Sequence, residues 1–329
     1  MSPVLASGNA RLSEPSGAPS EATLAIPIDC NPELPEPVIG YLRDSLADSS
    51  LRAYRSDLAQ FTAWGGTIPA SDRTLATYLA HHAESHSVAT LTRWLASLAK
   101  AHRAAGLPSP TSSELVRATL RGIKRRKGTA QDQAAPLLRD DLVQVLNGLG
   151  DGLKDVRDRA LLLLGFAGAF RRSELVGLDT DDLEPVRQGL IVHLRRSKTD
   201  PLGAGRKVGI PHGRTRHCPV AAVELWLSRS GITQGPLFRG LNRHGQLLAG
   251  RLSGEAVSVI VKERVQAAGY DPAPYSGHSL RAGFATSAAQ VGVSSVKIRA
   301  QTGHASDAML GRYIRDAELF LGNAALALL

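Results

Sequence analysis

The sequence predicts a mainly α-helical fold with a small β-sheet, an α+β chain in two domains. Three observations lead there. Apolar residues recur at spacings of three and four from Pro37 to Lys127, the period of helices that bury one face. A polar stretch without a period, residues 128–136, then interrupts the pattern. Beyond it helical patterns resume around two strand patterns, residues 189–194 and 207–211, the order of a small sheet beside a helical body.

A chain of 329 residues suits two domains, and 43% hydrophobic residues can fill their cores. No apolar run is long enough to span a bilayer and no cleavable signal opens the chain, so a membrane or secreted protein is not expected. Cys30 and Cys218 lie far apart and form no CxxC unit. A disulfide scaffold and a cysteine zinc site are therefore disfavoured, and a reducing compartment fits. The 39 Lys and Arg against 30 Asp and Glu leave a formal charge of +9, which points to a polyanionic partner unless it serves solubility alone. With 5% aromatic residues, base-stacking platforms for single strands are not the expected binding device.

In chain order, residues 1–36 are rich in Pro, Ser, Ala and Gly and set Arg11 against Glu14, Glu21, Asp29, Glu33 and Glu36. They read as a disordered, mildly acidic tail. Residues 37–127 read as a helical domain. Ser49 or Ser50 is the expected cap of a helix carrying Leu51, Tyr54, Leu58, Phe61 and Trp64, which Gly65 and Gly66 stop. Ser71 opens a second helix with Leu75, Tyr78 and Leu79, and Ser87 a third with Leu91, Trp94, Leu95 and Leu98. A fourth, from about Ser112, carries Leu115, Val116, Leu120 and Ile123, and the four make a compact bundle. That last helix ends in Arg121, Lys124, Arg125, Arg126 and Lys127 with no acid among them. Such a run is either a solvated face or, at a junction between domains, a contact to a phosphate backbone.

Residues 128–136 are the expected linker and residues 137–329 the second domain. Helices are expected over residues 139–149 and 155–168, then the two strands around the turn-rich residues 198–205. Further helices are expected at residues 220–230, 253–269, 278–291, 294–301 and 307–316. Gly203 and Gly205 lack the third glycine of a dinucleotide loop, and no GxxxxGK[ST] occurs, so nucleotide hydrolysis has no support.

Breaking a phosphodiester without a metal needs fixed cations around the nonbridging oxygens, a nucleophile that loses a proton, and a donor for the leaving oxygen. The second domain offers such a set in the order Arg171, Lys198, His278, Arg281, His304 and Tyr313. Arg171 follows the apolar run 161–166, and Glu174 three residues on can orient its guanidinium, or form an ordinary surface pair. His278 and Arg281 follow Pro272, Pro274 and Gly277 and fall on the first turn of a new helix, where phosphate is favoured. His304 follows Gly303, an expected helix-ending residue, and Ser306 caps the next helix. Tyr313 lies nine residues beyond His304 between Arg312 and Arg315. A phenol ionises near pH 10, so it becomes a nucleophile only with help; alone, it would read as packing with cation–π contact. Lys198, in RRSKT, sits on the expected hairpin, where a lysine can reach a leaving oxygen or simply keep an edge soluble.

Each element is weak alone, but the ordered set resembles the tyrosine recombinase (phage-integrase-type) family, over roughly Pro37 to Asp316. The segment SLRAYRSDLAQFTAW, from Ser50 to Trp64, is similar to that family's first DNA-clamping helices. The resemblance implies a core-binding, DNA-clamping domain at residues 37–127 and a catalytic domain at residues 137–329. It implies that Arg171, Arg281 and His304 hold the scissile phosphate, with Glu174 in support. It further implies that His278 assists proton transfer, Lys198 protonates the leaving 5′-oxygen, and Tyr313 attacks to give a 3′-phosphotyrosyl link. Strand exchange through a Holliday junction, with no metal, ATP or other cofactor, follows from the same resemblance.

The implied partners are duplex DNA with a specific recombination site and further copies of the chain in a homotetramer, without a membrane. The apolar end, Leu319, Phe320, Leu321 and residues 326–329, either folds back on its own domain or is exchanged with a neighbouring protomer. The expected setting is the prokaryotic cytoplasm, at the nucleoid, in service of a mobile element. Gln301 and Thr302 depart from the family, which more often has two apolar residues there. Two other readings stay open: a type IB topoisomerase-like enzyme, and a DNA-binding protein without catalysis.

Overall fold

The computed structural model describes residues 35–129, 133–195, 205–304 and 306–318. The expected tail falls almost wholly outside the described residues. So do Lys198, the apolar end and the side chains of Arg312 and Arg315. The chain forms two compact units, Met1–Asp132 and Gln133–Leu329.

The first unit is helical: α1 Glu36–Asp44, α2 Asp48–Ala63, α3 Asp72–His82, α4 Val88–Ala104 and α5 Glu114–Lys127, with a 3-10 turn at Pro110–Ser112 before α5. Serine side chains start three of them. Ser71, Ser87 and Ser113 accept from the backbone N–H of Thr74, Thr90 and Val116, three residues on, and so satisfy donors that have no partner in the helix. The α2 cap differs from expectation. Ala47 takes that place without a side-chain bond, and Ser49 and Ser50 lie inside the helix. Leu58, Phe61, Leu75, Tyr78, Leu79, Leu91, Trp94 and Leu98 form the core. Within it His102 takes the Ala70 N–H on Nε2 at 3.0 Å and donates Nδ1–H to Leu98 O at 2.8 Å, so one neutral tautomer satisfies both ring nitrogens.

The second unit begins with α6 Arg139–Asn147, α7 Leu153–Ala167 and the short α8 Arg172–Gly177. Strands β1 Leu183–Val186, β2 Gly189–Leu194 and β3 Arg206–Pro211 form an antiparallel sheet in that order. Leu190 pairs with Ile210 and Val192 with Val208, which puts their side chains on one buried face. Then come α9 Pro219–Ser230, a two-stranded ribbon of β4 Arg239–Leu241 and β5 Leu247–Arg251, and helices α10 Gly254–Ala267, α11 Ser279–Gln290, α12 Ser295–Thr302 and α13 Asp307–Glu318.

Helix α7 runs through the core, where Ala160, Leu161, Leu162 and Leu164 have no exposed surface. The entering chain lies against α11. Leu137 N–H donates to Ser279 O at 3.0 Å, and a Cβ on Gly283 would stand 1.8 Å from Leu137 O. Only glycine permits that approach. The fold is therefore the mainly helical α+β class read from the sequence, with α1, a fifth helix in the first unit, and α8, β1, β4 and β5 added.

Candidate active site

Three chain breaks in the second unit place the polar residues. The first follows α7. Ala169 ends that helix with a left-handed φ of 49°, uncommon for a residue with a Cβ, and its N–H donates to Phe166 O at 3.0 Å. Arg171 is then the N-cap of α8. Glu174, in the first turn of that helix, accepts the Arg171 backbone N–H at 3.0 Å and its Nη1 at 2.6 Å. One buried carboxylate thus caps the helix and aims the guanidinium, whose own side chain is 16% exposed.

The second break precedes α11, where His278 is the N-cap and Arg281 lies in the first turn. Arg281 is 1% exposed, so it is no surface cation. Its Nη1 donates to Ala169 O at 2.8 Å and to Thr302 O. Burial above all, and then the charge of Arg171, brings its ionisation down to about 10.

The third break follows α12. The last carbonyls of a helix lack intrahelical donors and carry its partial negative charge. Here three guanidinium groups take them. Arg206 Nη1 donates to Gln301 O at 2.9 Å and its Nη2 to Thr302 O at 3.5 Å. Arg281 shares Thr302 O, and Arg171 Nη2 lies 3.5 Å from Gly303 O. Glu174 lies 3.7 Å from Arg206 Nη2 and supplies the counter-charge. Gly303 has a left-handed φ of 66°, and a Cβ there would stand 2.9 Å from Arg206 Cζ. The residue is glycine for both reasons.

The histidines and the tyrosine complete the arrangement. His278 Nε2 lies 2.7 Å from Tyr313 Oη. The Tyr313 ring is 6.3 Å from that of His278 and 5.9 Å from that of His304, and it packs on Ala285, Ala289, Ile298 and Leu310. His304 is 8% exposed, with Nδ1 2.8 Å from Thr302 Oγ1. Burial, then Arg281 and Arg171, push its ionisation down to about 4, and the same causes in the same order lower that of His278. Both imidazoles are therefore neutral at pH 7 and can accept a proton. Arg281 Nη2 and Arg206 Nε are buried N–H donors without a hydrogen-bond partner among the described residues. Unpaired buried donors are costly, and cationic ones suit an oxyanion.

The structure brings Arg171, Glu174, His278, Arg281, His304 and Tyr313 together. Lys198 lies outside the described residues, between the paired ends of β2 and β3, Leu194 and Arg206. Sequence reasoning missed Arg206, whose only signal was a basic residue directly after Gly205 at the start of a strand. It also left Gln301 without a role. Gln301 Nε2 donates to Ala167 O at 2.8 Å and to Gly209 O at 3.2 Å, tying α12 to α7 and β3.

In the first unit, the basic residues of α5 divide. Arg121 pairs with Glu114. Lys127 Nζ donates to the carbonyls of Ala83, Glu84 at 3.2 Å and His86 at 2.9 Å, closing the turn after α3. Lys124 is half-buried, and Arg125 and Arg126 are exposed. No helix among the described residues is long and apolar enough to cross a membrane.

Comparison with known proteins follows the same lines. The model of the phage integrase family matches residues 136–319. An integrase/recombinase xerD homolog of Selenomonas ruminantium is 39% identical over 293 residues, covering 86% of each chain. Recombinase cre of Escherichia phage P1 is 28% identical over 271 residues, 76% of this chain and 78% of that one. The crystal structure of XerH site-specific recombinase bound to palindromic difH substrate superposes with a TM-score of 0.64 at 17% identity, over 88% of this chain and 82% of that one.

Proposed function

This chain belongs to the phage integrase family of tyrosine recombinases, enzymes that cleave and rejoin DNA, and on that premise we propose that it is a site-specific recombinase with Tyr313 as its nucleophile. The observation that carries the assignment is the 2.7 Å contact from Tyr313 Oη to the neutral His278 Nε2, beside Arg281 and Arg171.

Tyr313 Oη attacks the scissile phosphorus while its proton passes to His278 Nε2. A 3′-phosphotyrosyl bond forms and the bond to the 5′-oxygen breaks, with Lys198 giving that oxygen its proton. Arg171 and Arg281 hold the nonbridging oxygens, and His304 adjoins them. The phosphodiester energy stays in the protein–DNA bond, so a 5′-hydroxyl from a second duplex can reverse the step without ATP or a metal. Two such exchanges pass through a Holliday junction. That requires two duplexes and four protomers. Arg125 and Arg126 would contact the DNA backbone.

The test is covalent trapping. The full chain is incubated with a random duplex library, and protein-linked fragments are recovered under denaturing conditions and sequenced. Wild type should link to a shared site in the presence of EDTA. Tyr313→Phe should link to none yet bind that site with nearly unchanged affinity, since one hydroxyl is removed. Linkage that survives in Tyr313→Phe would refute the assignment.

A further inference from the structure

Arg206 opens β3, opposite Leu194 at the end of β2, and its mostly buried side chain joins that strand to α12 and α8. Nη1 donates to Gln301 O at 2.9 Å and Nη2 to Thr302 O at 3.5 Å, both at the end of α12. Nη2 also stands 3.7 Å from Glu174 Oε2, the oxygen that accepts the Arg171 backbone N–H. Its Nε and Cζ face Gly303, where a Cβ would lie 3.1 and 2.9 Å from them. The guanidinium is thus turned to the protein's own backbone. What it can give a phosphate is placement and charge, not contact. Burial lowers its ionisation, Glu174 raises it and Arg171 lowers it again, yet a guanidinium is charged at pH 7.

Two features of this placement bear on Arg171. Glu174 Oε1 accepts Arg171 Nη1 at 2.6 Å, so a carboxylate serving Arg171 alone would cancel its charge. Shared between two guanidinium groups, the same carboxylate leaves the trio net positive. Arg171 Nη2 also lies 3.5 Å from Gly303 O, in the stretch of chain that Arg206 fixes. We propose that Arg206 is a positioning residue that holds Arg171 in place and keeps its charge available to the scissile phosphate, without touching DNA itself. The inference deepens, and rests on, the recombinase reading above. A purely structural strut would need only volume and donors. This one needs its charge as well, and it acts through Arg171.

A double-mutant cycle on the full chain tests this, read as single-turnover trapping rates at saturating protein on the duplex that wild type links. Arg206→Met loses the charge and the donors. It should form the covalent complex roughly 10- to 100-fold more slowly, by analogy with the outer partners of metal ligands. Arg206→Lys keeps the charge but not the planar fork, and should recover part of that rate. In an Arg171→Ala background, Arg206→Met should cost less than about threefold, because the group it serves is gone. Arg206→Met should also keep the wild-type slope of log K against log salt, since no phosphate contact is lost.

Losses that multiply when Arg206→Met and Arg171→Ala are combined would overturn the proposal. So would a wild-type rate in Arg206→Met, or a salt slope smaller by about 1, which marks a phosphate contact of its own. Equal losses in Arg206→Lys and Arg206→Met would overturn it too, since charge would then play no part. If Arg206→Met does not fold, Arg206→Lys carries the cycle. Its smaller loss should likewise vanish in Arg171→Ala, and a loss that persists there overturns the proposal. A wild type that links to no duplex sinks the recombinase reading and this inference with it. Multiplied losses in a wild type that does link sink this inference alone.

Discussion

Arg281 shows how far a residue's setting departs from its type. An arginine in the first turn of a helix is ordinarily solvated, yet this one is buried, bonded to Ala169 and Thr302 carbonyls, with Nη2 left without a partner among the described residues. Removing such a preorganised donor costs catalysis about 10² to 10³. Arg281→Ala should accordingly form the covalent complex at least about 100-fold more slowly, measured as a single-turnover rate on the trapped duplex. His304 carries a second expectation. Its ionisation is near 4 when folded, against about 6.5 for a free histidine, so between those values the unfolded chain binds more protons. The stability it contributes is complete above pH 6.5 and is lost as the pH falls toward 4, and the lowered His278 acts in the same sense. Urea midpoints should therefore drop between pH 7 and pH 5, and His304→Gln should flatten that dependence.

Among elements, α7 is tied to α10 by buried charge. Asp158, with no exposed side-chain surface, accepts from Arg157 Nε at 2.9 Å and Arg264 Nε at 2.7 Å, and Arg264 Nη2 also reaches Asp155 at 2.7 Å. Removing one partner from a buried network leaves charge uncompensated, which costs about 3–5 kcal/mol. Asp158→Ala should lose about that much in urea unfolding, with the fold of the first unit unaffected. The elements also show what a sequence pattern can reveal. Helix α1, nine residues beside the proline-rich start, gave no period, whereas longer helices announced themselves by apolar spacing, as with Val156, Ala160 and Leu163 in α7. Short ones did not: α8 has six residues, β1 four and β4 three, too few for any period to repeat. The Ala47 cap on α2 has no side-chain oxygen and so gave no signal.

At the scale of the whole molecule, the +9 charge sets the conditions for binding DNA. Each phosphate neutralised releases counterions, so log K should fall linearly with log salt, by about 0.9 per contact. Titrations at several salt concentrations give that slope, and neutralising Arg125 and Arg126 together should lower it by roughly 2, whatever the DNA sequence. A flat salt response would mean that the charge serves solubility alone. Exchange of the apolar end between protomers, the second of the two expectations for that segment, has its own test. A chain truncated after Ala317 should bind single sites as wild type does but lose cooperative pairing of two sites, read by sedimentation of the DNA complexes.

By itself the sequence determined the fold class, the long helices and strands, and six of the side chains that could act on a phosphodiester. These are properties of local pattern: apolar period, breakers and the order of chemical types along the chain. Five of those six fall among the described residues and meet in space with Glu174. Tertiary structure decided how they meet. Three arginines would repel one another in the open chain. They gather here because the end of α12 offers carbonyls that no helical N–H reaches, and Glu174 adds a counter-charge at the same point. Arg206 and Thr302 became visible only then, because a strand end and a helix end more than ninety residues apart have no shared pattern in sequence, and only packing makes them neighbours.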